Sequence, residues 1–273
     1  MGLLFSRGEF NSGRLDRELL RTPLAGRLTS LTLGGRAISA QALETLVLSP
    51  LASRLRELSL PQVSLTGEAE VGILATSEAL AGLRRLDLGG NALRDKGARV
   101  LASSPYLTSL LHLDLSSNSI GGPGIRALLG SPILDRLRSL DLSGNHVGVP
   151  NVTALSRADR PRPLRELHLR QANLDPECAT ILAGSPAFAR LRSLGLGGNR
   201  LGDEGVEAIA KGRHLARLRS LDLDSNGVDS AGARAILDTS CLGSLRQLSM
   251  RNASLSPGER DRLVARYGLT SRF

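Results

Sequence analysis

Tryptophan is absent from this 273-residue chain, and aromatic residues make up only 2% of it. A core built around aromatic rings is therefore excluded, and leucine must do the work. A ladder of leucines can, since each stabilises by roughly 1.5–3 kcal/mol when fully buried. Lysine is nearly missing as well: Lys96 and Lys211 are the only two, so the net charge of +9 is carried by arginine. Positive charge attracts anionic partners, but so one-sided a choice of arginine reads as compositional bias as readily as partner choice. No stretch approaches the roughly 20 apolar residues of a membrane span. Also absent are G-x-S-x-G, a Walker loop, H-E-x-x-H and paired C-x-x-C motifs. His112, His146, His168 and His214 are scattered. The sequence thus offers no catalytic set, no metal set and no cofactor motif, and the expectation is that the protein is not an enzyme.

What is present is repetition. The string L-x-x-L-x-L begins at Leu28, Leu55, Leu83, Leu110, Leu137, Leu164, Leu191, Leu218 and Leu245, with Met250 closing the ninth copy. Seven of the eight intervals are 27 residues and the other, from Leu55 to Leu83, is 28. A unit that short cannot bury its own apolar face and must stack on its neighbours, which is the definition of a solenoid.

The copy starting at Leu83 shows the grammar. The alternation Leu86-Asp87-Leu88 is a short strand with one face inward. Leu83, Leu86, Leu88 and Leu93 point to the core, while Arg85, Asp87 and Gly89 point outward. Asn91 falls at a turn, where its amide can satisfy peptide groups the bend leaves unpaired. Gly97 to Ala102 has helical spacing with Ala98, Leu101 and Ala102 on one side. Ser104-Pro105 ends that helix, because a residue before proline is pushed out of the α region. Gly97, Gly124, Gly205 and Gly232 are equivalent positions, as are the pairs beginning at Ser49, Ser104, Ser131 and Ser185. Strands stack about 4.8 Å apart and helices about 10 Å across need more room. The stack must therefore bend with its parallel sheet on the concave side. The asparagine position holds Asn91, Asn118, Asn145, Asn199 and Asn226, but Arg36, Val63, Ala172 and Ala253 elsewhere. Ala172 is internal, so its turn must be satisfied differently. Repeat five carries an irregular return segment over 157–163 and reads as having a shortened helix.

Strings such as LRSLDLSGNHV (137–147) and LRSLGLGGNRLGDEGVEAIA (191–210) resemble the leucine-rich repeat family, specifically its ribonuclease-inhibitor-like class and that class's bacterial members. The resemblance covers about nine-tenths of the chain. It implies an α/β fold: a right-handed solenoid forming a horseshoe arc, with a parallel sheet on the concave face and helices on the convex face. It also implies a curved protein-binding scaffold without catalysis. It names no ligand. The organisation expected is a degenerate repeat or cap over 1–27, nine repeats over 28–259, and a cap helix and tail over 260–273. Within the first segment, Leu15 to Pro23 matches a helix and its proline stop, and Phe5 and Phe10 cover the first leucine layer.

Two surfaces are organised. On the concave face the candidates are Arg85, Asp87, His112, Asp114, Asp141, His168, Arg170, Asp222, Asp224 and Arg251. Asp87, Asp114 and Asp141 would stack on consecutive strands, where like charges repel unless a cation relieves them; the plainer reading is that aspartate after the second leucine is repeat consensus. No aromatic faces this side, so a tight binder has only Arg85, Arg170 and Arg251 as anchors. The second surface is a rim of arginines, each following the first leucine of its copy: Arg56, Arg84, Arg138, Arg165, Arg192, Arg219 and Arg246. Guanidinium rows suit carboxylates and phosphates. Nucleic acid is disfavoured, because no aromatic is interleaved for stacking on bases.

Cys178 and Cys241 lie in the helical halves of repeats six and eight, too far apart for the roughly 7 Å that a disulfide allows between Cα atoms. Two free thiols fit a reducing compartment, and the apolar start of the chain is too short for a secretory signal. The expectation is a monomer in the cytoplasm that binds an unidentified, acidic protein. The alternatives are an adaptor or effector recruiting substrates to ubiquitin-type machinery, and a polyanion binder acting through the rim. Met1 to Ser6 also matches the N-myristoylation pattern, but only Gly2 and Ser6 carry it and chance is the stronger reading.

Overall fold

The computed structural model describes residues 2–5, 28–66, 68–157 and 162–267, with backbone alone for 2–5. Leu15–Pro23 and Phe10 lie outside the described residues, as do most of the irregular segment after repeat five and the tail beyond residue 267. The chain divides into two compact units, Met1–Leu137 and Arg138–Phe273.

The first unit runs β1 (Gly2–Phe5), β2 (Ser30–Leu33), α1 (Ala40–Leu48), β3 (Glu57–Ser59), α2 (Glu68–Ala75), β4 (Arg85–Asp87), α3 (Arg94–Ala102), β5 (His112–Asp114) and α4 (Gly122–Leu129). Its strands are parallel and pair in chain order, with Leu31, Leu58, Leu86 and Leu113 in register. β1 lies parallel to β2, Leu3 beside Leu31. The second unit runs β6 (Ser139–Asp141), α5 (Gly148–Ser156), β7 (Glu166–His168), α6 (Pro176–Gly184), β8 (Ser193–Gly195), α7 (Gly202–Ala210), β9 (Ser220–Asp222), α8 (Ser230–Asp238), β10 (Gln247–Ser249) and α9 (Pro257–Tyr267). Here Leu140, Leu167, Leu194, Leu221 and Leu248 are in register on parallel neighbours. The pairs Leu86/Leu88, Leu113/Leu115, Leu140/Leu142 and Leu221/Leu223 are all buried, none more than 3% exposed.

The turn after each strand has a shared chemistry. Asn91 accepts from the peptide N–H groups of Val63 and Leu65 through Oδ1, and donates through Nδ2 to the carbonyls of Leu60 and Leu88. One amide thus serves its own turn and the preceding one. Asn199 repeats the pattern on Ala172, Leu174, Leu169 and Leu196. Ala172 has no amide to offer, and its backbone carbonyl takes over, accepting from the N–H groups of Val147 at 3.2 Å and Gly148 at 3.3 Å. The residue before each asparagine position is left-handed in every copy, from Gly35 to Asn252. Glycine such as Gly198 (φ 70°) adopts this without strain, whereas Gln171 (φ 48°) does not.

The helices are tied across repeats by side chains. Asp95 Oδ1 accepts from the N–H groups of Gly121 and Gly124 in the next copy, and Asp203 Oδ1 from those of Asp229 and Gly232. The helix of one repeat is therefore capped by the repeat before it. The recurring glycines make room: a Cβ on Gly232 would lie 2.6 Å from Asp203 Oδ1. Serine before proline does more than end a helix. The Ser104, Ser131 and Ser185 hydroxyls donate to the carbonyls of Ala75, Ala102 and Ser156 on the preceding helices.

Two sequence expectations need correction. The helix of repeat five is not shortened: α5 has nine residues, like α6 and α7. The last helix starts at Pro257, not Arg260, in the same phase as the start of α8 at Ser230, so it is the ninth repeat's own helix.

Candidate functional site

The rim is built by the strand ladder itself. In the second unit the peptide N–H of Arg165 donates to the carbonyl of Arg138, Arg192 to Arg165, Arg219 to Arg192 and Arg246 to Arg219, at 2.7–2.8 Å. Five guanidinium stems are thereby set at strand spacing, about 4.8 Å apart. In the first unit Arg84 follows Arg56 in the same way. All seven side chains are exposed. Arg56 donates to the carbonyl of Gly82 and Arg246 to those of Gly243 and Leu245. Among the described residues Arg165, Arg192 and Arg219 have no ion-pair partner.

Below this edge in the second unit lies a cleft of about 390 Å³ lined by Ala189, Arg190, Arg213, His214, Ala216 and Arg217. Arg190 and Arg217 are repeat-equivalent and directly precede the first leucines of repeats seven and eight. Arg213 and His214 come from the short 3₁₀ turn Arg213–Leu215. The sequence pattern did not bring these two residues to the rim, and the basic run Lys211-Gly-Arg-His214 was the available signal.

On the outward face of the first unit, Arg85 of β4 is the register partner of His112 of β5, and Asp87 of Asp114. Both carboxylates crowd Gly89, where an added Cβ would be 3.3 Å from each Oδ1. Each is engaged by the peptide two residues on: Asp87 accepts from the N–H of Gly89 and Asp114 from that of Ser116. Asp141 and Asp222 do the same with Ser143 and Asp224 in the second unit. That local bond is the physical reason for aspartate at this register. Asp141 has His168 as its register neighbour within its own unit. Among the described residues no group of three His, Cys, Asp or Glu side chains is arranged to hold a metal ion.

The second unit's outward face holds an ion network. Arg251 binds Asp224 through Nε at 2.8 Å and a terminal nitrogen at 2.7 Å. Ser249 Oγ donates to the same carboxylate at 2.5 Å, and the Arg251 peptide N–H donates at 2.8 Å. Burial pushes the Asp224 carboxyl upward, but these bonds from Ser249 and Arg251 outweigh it and hold the group below its ordinary value. Arg170 pairs with Asp222 and lies 3.9 Å from Asp224. These residues line a depression of about 310 Å³. Two of the three expected arginine anchors are thus already engaged by the protein's own acids, and only Arg85 has no ion pair.

Cys178 is buried, and burial lifts its thiol to about 11; Cys241 is half-buried, and neither is paired. Gly2 opens β1, in register with Ser30.

Parallel strands joined by helices, an inward leucine set and an asparagine-bonded turn define a leucine-rich-repeat solenoid. The leucine-rich repeat family pattern matches residues 83–102, 106–129, 137–156, 191–210 and 214–237 of the chain. Among solved structures it is similar to an internalin (inlF) from Listeria monocytogenes, at 18% identity and a TM-score of 0.41, covering 91% of this chain and 88% of that one. No curated protein matches the chain. No helix among the described residues is long and apolar enough to cross a membrane.

Proposed function

We propose that the protein is a non-enzymatic interaction scaffold whose arginine rim docks an acidic face of a protein partner. The carrying observation is that Arg165, Arg192 and Arg219 stand exposed on one peptide ladder without an ion pair, while Arg170 and Arg251 on the sheet face are neutralised internally. Exposed charges of this kind steer encounter more than they hold the complex. In this reading the nine repeats, from Leu28 through the helix that ends at Tyr267, form the binding body, and the protein works as a monomer. Two unpaired cysteines support a reducing, cytoplasmic setting.

The test starts with capture of the partner from the native organism and its identification by mass spectrometry. Association kinetics are then compared for the wild type and the triple variant Arg165→Ala, Arg192→Ala, Arg219→Ala. The on-rate should fall by roughly tenfold or more at low salt, with a smaller change in the off-rate. An unchanged on-rate would retire the rim. A polyanion partner would reveal itself through a much steeper salt dependence.

A further inference from the structure

The cleft beneath the rim has a composition that the rim alone does not require. Of its six lining residues three are arginines and one is histidine, the other two are alanines, and none is acidic. Arg190, Arg213 and Arg217 are exposed and make no ion pair, although Lys211 close by in sequence is paired to Glu207. Like charges gathered around one hollow repel each other, and a bound anion relieves that repulsion. Ala189 and Ala216 leave the hollow open between the closing segments of repeats six and seven.

We propose that this cleft binds a phosphate monoester carried on a segment of the protein partner, that is, a phosphorylated side chain. The inference rests on the reading that the rim docks an acidic protein, and it names the group that fixes the register. Three guanidinium forks call for more acceptors and more charge than one carboxylate provides. A phosphate monoester brings three oxygens and about two negative charges near neutral pH. The volume of about 390 Å³ falls at the small end of ligand sites, roughly 300–1,000 Å³. It therefore admits a phosphorylated side chain with part of its backbone. Arg192 and Arg219 stand two residues along the chain from Arg190 and Arg217 and would meet flanking carboxylates. A nucleic-acid strand is the poorer fit, because no aromatic side chain lines the cleft or the outward ladders to stack on bases.

Fluorescence anisotropy decides the matter with three probes: a labelled acidic peptide bearing one phosphoserine, its unphosphorylated twin, and an oligothymidylate. The phosphopeptide should bind about tenfold more tightly than its twin, and inorganic phosphate should displace it. Arg213→Ala and Arg217→Ala should each remove most of that preference. Both side chains are exposed and without ion pairs, so the urea midpoint should not move. Equal binding of the two peptides would overturn the proposal, as would a preference that survives both substitutions. Tighter binding of the oligothymidylate, lost in the same variants, would reassign the cleft to nucleic acid. The two readings fail separately. If the triple rim variant keeps its on-rate while Arg213→Ala abolishes the phosphate preference, the rim reading falls and the cleft stands. The reverse pattern removes the cleft alone.

Discussion

Arg170 on repeat six forms an ion pair with Asp222 on repeat eight, passing over repeat seven entirely. It can do so because two of the three outward positions of β8 and its turn are Gly195 and Gly197, the third being Ser193. A Cβ at Gly197 would sit 3.0 Å from both Asp222 carboxylate oxygens and 3.1 Å from the Arg170 guanidinium carbon. One at Gly195 would lie 2.7 Å from Nδ1 of His168. His168 and Arg170 of repeat six therefore lie over two positions of repeat seven that carry no side chain.

The pair should be measurable and conditional. Its arginine is half-exposed, so the coupling in a double-mutant cycle of Arg170→Ala with Asp222→Ala should be about 0.5–1 kcal/mol. In a Gly197→Ala background that coupling should vanish. A coupling that persists there would mean the glycine is not what lets the arginine through.

Asp224 gives the network a pH signature. Its folded carboxyl lies below the ordinary 3.8, so its stabilising effect is complete above that value and is lost as pH falls through the lower folded value. The stability gap between the wild type and Asp224→Asn should stay flat from about pH 7 to pH 5 and narrow below about pH 4. Urea melts at a series of pH values check this, and a gap that widens in acid contradicts the assignment.

The asparagine amide predicts opposite effects at two neighbouring turns. Asn199→Ala leaves the buried N–H groups of Ala172 and Leu174 without acceptors and should cost about 2–3 kcal/mol, the scale for unpaired buried peptide groups. Ala172→Asn supplies the missing amide to the turn at Val147 and should raise the thermal midpoint. A fall in that midpoint would show that the site has no room for the amide.

Leu140 is 3% exposed and begins the second unit's leucine row, beside Leu167. Leu140→Ala should destabilise by roughly 2–5 kcal/mol, as core leucine truncations do. An unmoved urea midpoint would remove Leu140 from the core.

The two thiols should react unequally. Cys178 is 0% exposed, with its thiol raised to about 11 by burial, and thiolate is the reactive form. An aromatic disulfide reagent should titrate Cys241 quickly and Cys178 only on unfolding. Two fast thiols would place Cys178 at the surface.

Much of this was legible in the sequence, for identifiable reasons. Two-residue alternation fixes which side of a strand each leucine takes, and the 27-residue period copies that answer through the chain. The rim was readable because arginine follows the first leucine seven times. The Arg170–Asp222 pair was not, since it depends on side chains missing from Gly195 and Gly197 rather than on any residue present. The cleft escaped because Arg213 and His214 have no periodic copies: the position equivalent to Arg213 one repeat earlier is Pro186. Asp95 and Asp203 escaped for a related reason, as their partners are peptide N–H groups in the following copy and peptide groups leave no mark in a sequence.

The carbonyl substitution at Ala172 has a mechanical meaning. Two joints of the second unit carry a side-chain amide from one turn to the next, Asn199 between repeats six and seven and Asn226 between repeats seven and eight. The joints between repeats five and six and between repeats eight and nine hold Ala172 and Ala253 at that position instead. A stack of identical joints would share load evenly along its length. This one is riveted at its two central joints and not at the two flanking ones, so strain from a bound partner should separate the flanking repeats first.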